Sequence, residues 1–243
     1  MDMYRVAALT HAGLGTLALV TFWTAGLSKK GSPVHRGAGK IYLLAMVGLL
    51  AVALPMSVYI ISRGVVVMGS FLLYLLVITG TSVWLSWRAI CDKRDWARYT
   101  GRVYGLLKWL NLGSGVAIAS VGLFFAQSMQ LVIVAFAAIG IIGFLRMRRF
   151  SRQAPDEPRW WLREHLNAML GNGVATHIAF LAIGLPRLLP ALAGPALQNV
   201  AWLGPLLGSF LAGAWLTRKY LPKRALPAPQ TAPSFSQPSP LPR

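Results

Sequence analysis

Seven stretches of mainly apolar residues limit what this chain can fold into. A bilayer-crossing helix needs roughly 20 such residues. The stretches cover residues 6–27, 41–62, 65–87, 103–126, 129–145, 165–185 and 198–217, the fifth being the shortest. Within hydrocarbon every backbone N–H and C=O must be satisfied inside the protein, which a helix achieves within one segment. The expected fold is therefore all-α: a polytopic membrane bundle of seven transmembrane helices over residues 1–221. Pro55 and Pro205 fall within spans, where neighbouring helices can re-satisfy the carbonyls they free. The fourth and fifth spans should form a tight hairpin through Gln127 and Ser128.

Composition supports that reading. Only 12% of the 243 residues are charged and 56% are hydrophobic, against about 25% charged in a soluble domain. Disordered chains, acidic binding modules and ordinary soluble enzymes are excluded. The net charge of +18 would suit nucleic acid, but a nucleic-acid-binding domain is not this apolar. The expected partner is the lipid bilayer, with no nucleic acid. The first stretch follows Arg5 as in a signal peptide, yet it runs on to Leu27 with no A-x-A cleavage site. It reads as a retained helix.

The basic residues set an orientation. Twenty of the 24 Lys and Arg lie in the odd-numbered loops and beyond the last span, from Lys29, Lys30, Arg36 and Lys40 through to Lys219, Lys223 and Arg224. Only Arg5, Arg63 and Arg187 lie on the other side, and Lys108 sits inside a span. Such an excess marks the cytoplasmic face. The N-terminus is expected outside and the C-terminus in the cytoplasm, which an odd helix count requires. Residues 222–243 hold seven prolines in 22 positions and read as a disordered cytoplasmic tail. Gly39-Lys40-Ile41-Tyr42 and Gly101-Arg102-Val103-Tyr104 form an internal echo, either a trace of duplication or the common make-up of an interfacial helix start.

Little in the chain carries chemistry. The six acids, Asp2, Asp92, Asp95, Asp156, Glu157 and Glu164, fall in loops or at span ends, which removes the intramembrane carboxylates of ion pumps and paired carboxylates for hydrolysis. The lone Cys91 lacks the paired spacing of a zinc or redox motif. Tryptophans such as Trp87, Trp109, Trp160 and Trp161 stand at span ends, as interfacial anchors do.

All four histidines belong to spans or their edges. His35 and His165 fall at the cytoplasmic boundary, whereas His11 and His177 lie roughly 8 and 12 Å below the outer one at 1.5 Å per residue. This sorts them into an inner and an outer pair. Two imidazole pairs at two membrane levels is the layout of membrane b-type cytochromes, where both faces of a haem iron are ligated. The other readings are a second metal, a quinone site, or histidines that hydrogen-bond neighbouring helices. Lys108 and Arg36 are candidate cations for a haem propionate or quinone oxygen, or else snorkel to the surface.

His35-Arg36 with Gly39, Tyr42 and Met46, and Arg163-Glu164-His165-Leu166-Asn167-Ala168-Met169 running on to Gly173, Ala175, His177 and Phe180, resemble the bacterial membrane protein family catalogued as domain of unknown function 2306. The resemblance covers the chain from the first helix to the seventh but not the tail. It implies the same fold and the same histidines, and supplies no activity. The expected function is a bacterial inner-membrane protein binding a redox cofactor, b-type haem, or a quinone through His11, His35, His165 and His177, with a membrane redox partner. The alternatives are a small-solute transporter or channel, and an assembly subunit without a site.

Overall fold

The computed structural model describes residues 3–126, 129–192 and 194–221. Among them there is no strand. The long helices are α1 (Met3–Leu27), α2 (Pro33–Ser62), α3 (Val66–Cys91), α5 (Arg102–Phe125), α6 (Gln130–Phe150), α7 (Trp160–Ile178) and α9 (Pro195–Tyr220). A short α4 (Trp96–Tyr99) sits between α3 and α5. Beyond α7 the chain continues as a π-helical segment (Ala179–Gly184) and then α8 (Leu185–Leu188). Seven helices are long and apolar enough to span a membrane. Their outer surface agrees: Leu131, Phe124 and Phe210 are each more than 70% exposed, an exterior suited to lipid rather than water.

α3 and α7 form the spine of the bundle. The α1–α2 hairpin packs on one side of it through α2 and α3, the α5–α6 hairpin packs on α3, and α9 packs on α7. Small residues allow the close approaches, as expected where lipid gives helices no reason to associate except packing. A Cβ at Gly140 of α6 would meet the Tyr74 hydroxyl at 2.7 Å and the Asn111 carbonyl of α5 at 2.9 Å. Tyr74 uses that gap, donating to the Phe136 carbonyl (2.7 Å) and accepting from the Gly140 N–H (3.0 Å). Phe71, Phe136, Ile178 and Trp202 fill the core around it.

Several helices extend beyond their apolar stretches at the end of the bundle rich in Lys and Arg. α2 starts at Pro33, so His35 stands in its first turn, and α7 starts at Trp160 rather than at residue 165. Glu164 is therefore inside a helix and half-buried, with the Tyr99 hydroxyl 3.5 Å from its Oε2. It stays near the inner end of that span, Trp160–Leu188. Trp160 is no interfacial anchor. It is buried, with its ring 5.1 Å from that of Tyr99 and 5.7 Å from that of Phe150. The two echoed tyrosines are also buried, but Gly101 caps α5 whereas Gly39 lies within α2.

The π-helical segment has a local cause. Pro186 has no N–H and its ring crowds the carbonyl four residues earlier. A wider turn just before it relieves that clash, and the Leu185 N–H reaches the Phe180 carbonyl, five residues back. The expected Gln127–Ser128 hairpin and the proline-rich tail lie outside the described residues.

Candidate functional site

His35 is placed by the start of α2. The Ser32 side chain caps the helix by accepting from the His35 N–H at 3.2 Å, and Pro33 fits the first turn. The His35 ring then turns back to α1, where Nδ1 lies 2.9 Å from the Ala25 carbonyl. A carbonyl only accepts, so Nδ1 carries a proton. The same carbonyl accepts from the Lys30 Nζ at 3.2 Å. His165, in the second turn of α7, repeats the pattern against a third helix: its Nδ1–H donates to the Ser86 carbonyl of α3 at 2.9 Å. His35 and Lys30 thus share the Ala25 carbonyl at the end of α1. Neither Nε2 has a hydrogen-bond partner among the described residues.

Ser86 ties this inner pair to a buried polar ladder. Its hydroxyl donates to the Val83 carbonyl (2.9 Å) and lies 3.4 Å from the Asn172 amide nitrogen. One turn further along α7, Thr176 donates to the Asn172 carbonyl (2.9 Å) and meets the Tyr42 hydroxyl of α2 at 3.0 Å. Tyr42, Ser86 and Asn172 are fully buried, and Asn172 Oδ1 has no partner. In an apolar interior each of these bonds is costly to break, because the freed group has no water to turn to. The ladder thereby locks α2, α3 and α7 in one register.

The outer pair does not form. His177 has both ring nitrogens engaged: Nδ1 donates to the Gly173 carbonyl at 2.7 Å, and Nε2 accepts from the Trp23 indole N–H at 3.0 Å. Phe22 and Trp23 both pack edge-on against its ring. His11 is 12 residues from Trp23 on α1, about 18 Å of helix rise, and lies beside the Leu49 backbone of α2 with its Nδ1 buried and unpartnered. Matching depths did not bring the two histidines together: His177 instead meets Trp23, in the inner half of α1.

The expected cations are also dispersed. Lys108 belongs to α5, which packs on α6 and α3, and no interaction joins it to either inner histidine. Arg36 is exposed at the start of α2. The cation beside the inner pair is instead Lys30. Among the described residues no three His, Cys, Asp or Glu side chains gather as a metal-binding group.

Sequence reasoning missed Trp23, Ser86 and Tyr99, and named Tyr42 only in the internal echo and the family resemblance. The polar atoms of Ser86 and Tyr42 within apolar spans were the available signal. No family model, curated protein or solved structure matches the chain. Chemically, the site offers two imidazoles, each oriented by a backbone carbonyl and each with an Nε2 that no described residue binds, with a lysine beside His35. That arrangement suits an electron-pair acceptor: a metal ion, or a hydroxyl with a proton to give.

Proposed function

We propose that this chain is a bacterial inner-membrane protein, N-terminus outside and C-terminus cytoplasmic, that binds a redox cofactor through His35 and His165. The cofactor proposed is b-type haem, with the two Nε2 lone pairs as iron ligands and Lys30 available to a propionate. One observation carries the reading: both histidines give their Nδ1 proton to a backbone carbonyl, the arrangement that orients metal-ligating imidazoles. The charge bias of the loops supports the orientation, and the resemblance to domain of unknown function 2306 belongs to the same proposal. His11 and His177 have no part in it.

The test is a reduced-minus-oxidised absorbance spectrum of protein purified from haem-replete cells. A b-type spectrum is expected, lost in His35→Ala and in His165→Ala and kept in His11→Ala and His177→Ala. A colourless wild type, with no Soret band after haem is added, overturns haem binding. A quinone is the second occupant of this reading, since a quinol hydroxyl can donate to a bare Nε2. It is tested by binding of a short-chain quinol to the colourless protein.

One feature favours a transporter instead. π-helical turns within a span often mark functional sites, and the Ala179–Gly184 segment lies next to Pro186. Solute uptake by vesicles containing the protein, lost when Pro186 is changed to Ala, would support that alternative.

A further inference from the structure

A cavity of about 490 Å³ opens at the basic end of the bundle, where α3 closes and α4 leads into α5. Trp84, Arg88, Arg98, Gly101, Arg102 and Val103 line it. Three of those residues are arginines, and none is an acid. The Arg88 guanidinium lies over the Trp84 ring, 5.9 Å from its centre, and its Nε is buried with no hydrogen-bond partner. No side chain caps the start of α5 at Gly101. The first N–H groups of a helix lack partners within it, so those of α5 add further donors at the cavity wall.

Asp92 offsets only part of this charge. It bonds Arg88 at 2.5 Å and Arg98 at 3.4 Å, is itself buried, and lies outside the cavity lining. Asp95 instead accepts from the Arg98 backbone N–H at 2.8 Å. Among the described residues no acid pairs with Arg102. Clustered guanidinium donors with surplus positive charge select a phosphate group, whether on a lipid headgroup or on a soluble compound. The apolar surroundings favour the lipid. From Val103 at the cavity wall an exposed apolar stripe continues along α5 through Leu106 and Leu110, one and two turns on at helical spacing. Basic pockets between transmembrane helices hold lipid headgroups in this way.

We propose that the cavity between α3, α4 and α5 holds the phosphate of an acidic phospholipid, with an acyl chain along Val103, Leu106 and Leu110. Arg98 and Arg102 supply mobile charge from the exposed side, and Arg88, held by Asp92 and Trp84, supplies a fixed donor. The lipid site shares no residue with the cofactor reading and stands if no cofactor is bound.

Native mass spectrometry of the full chain in detergent tests this with phosphatidylglycerol, phosphatidylcholine and inorganic phosphate as probes. Wild type should retain phosphatidylglycerol in preference to phosphatidylcholine, and excess inorganic phosphate should not displace it. Arg98→Gln with Arg102→Gln should weaken retention about thirtyfold, the effect of removing two basic groups at a headgroup. Arg102→Gln alone breaks no ion pair among the described residues and should give about a fivefold loss. Lys29→Gln with Arg218→Gln removes the same charge at the same end of the bundle and should leave retention unchanged. Equal retention of the two lipids by wild type, undiminished retention without Arg98 and Arg102, or an equal loss without Lys29 and Arg218 would each overturn the proposal. Displacement of the lipid by inorganic phosphate would also overturn it, assigning the cavity to a soluble phosphate compound.

Discussion

The indole N–H of Trp23 donates to Nε2 of His177 across the α1–α7 contact at 3.0 Å. Because Nδ1 of the same ring donates to the Gly173 carbonyl, His177 is a neutral imidazole with both nitrogens spent. It acts as a clasp between two helices that touch little elsewhere. Trp23→Phe keeps an aromatic ring but removes the donor, leaving the Nε2 acceptor unpaired. The expected loss is about 1–3 kcal/mol, read as a lower melting temperature in detergent. His177→Phe in the Trp23→Phe background should cost little more, since the clasp is already open.

The seven spans were legible because length and apolarity alone identify them. Their inner ends were not. Trp160–Glu164 and Pro33–Lys40 carry polar and charged side chains, so hydropathy falls while the helix continues. Glu164 and His35, expected at span edges, thereby stand within helices. Partner choice was even less legible. The spans carry apolar residues all round, so periodicity does not say which face meets which neighbour. Matching depths did not pair His11 with His177, because depth says nothing of which side chain a neighbouring helix offers: the Trp23 indole takes the His177 Nε2.

Glycine substitutions separate packing from helix propensity. Gly140→Ala would drive a Cβ to 2.9 Å from the Asn111 backbone carbonyl and 2.7 Å from the Tyr74 hydroxyl. Overpacking of this kind costs about 1–3 kcal/mol. Gly113→Ala, on α5, meets nothing within 4 Å and should stabilise by up to about 1 kcal/mol through propensity. Opposite shifts of melting temperature are expected from one chemical change, and a loss in both would contradict the α5–α6 packing.

Fusions test the proposed orientation. A fluorescent protein joined after Arg243 should fluoresce in the cytoplasm, and a periplasmic phosphatase at the same point should be inactive. A phosphatase placed in the loop around Gly64, between α2 and α3, should be active. The reverse pattern would invert the bundle, and an active phosphatase at both points would break the seven-helix count.

The Tyr99 phenol, on short α4 between the long helices, gives the basic end an alkaline limit. It is fully buried. Burial first, then the Glu164 carboxylate and the neighbouring Tyr104, push its ionisation far above the ordinary tyrosine value. An unfolded tyrosine ionises near pH 10. The raised folded value means that the proton is held more tightly in the native state. Its stabilising contribution is complete below about pH 10 and is lost as pH climbs from there toward the folded value. For one proton the slope is about 1.4 kcal/mol per pH unit. Melting temperatures in detergent should therefore hold steady from pH 8 to 9.5 and fall above pH 10. Tyr99→Phe should make that fall shallower, because the substituted ring has no proton to release. An unchanged alkaline slope in Tyr99→Phe would mean that this phenol ionises as readily in the folded protein as in the unfolded one, against its burial beside Glu164.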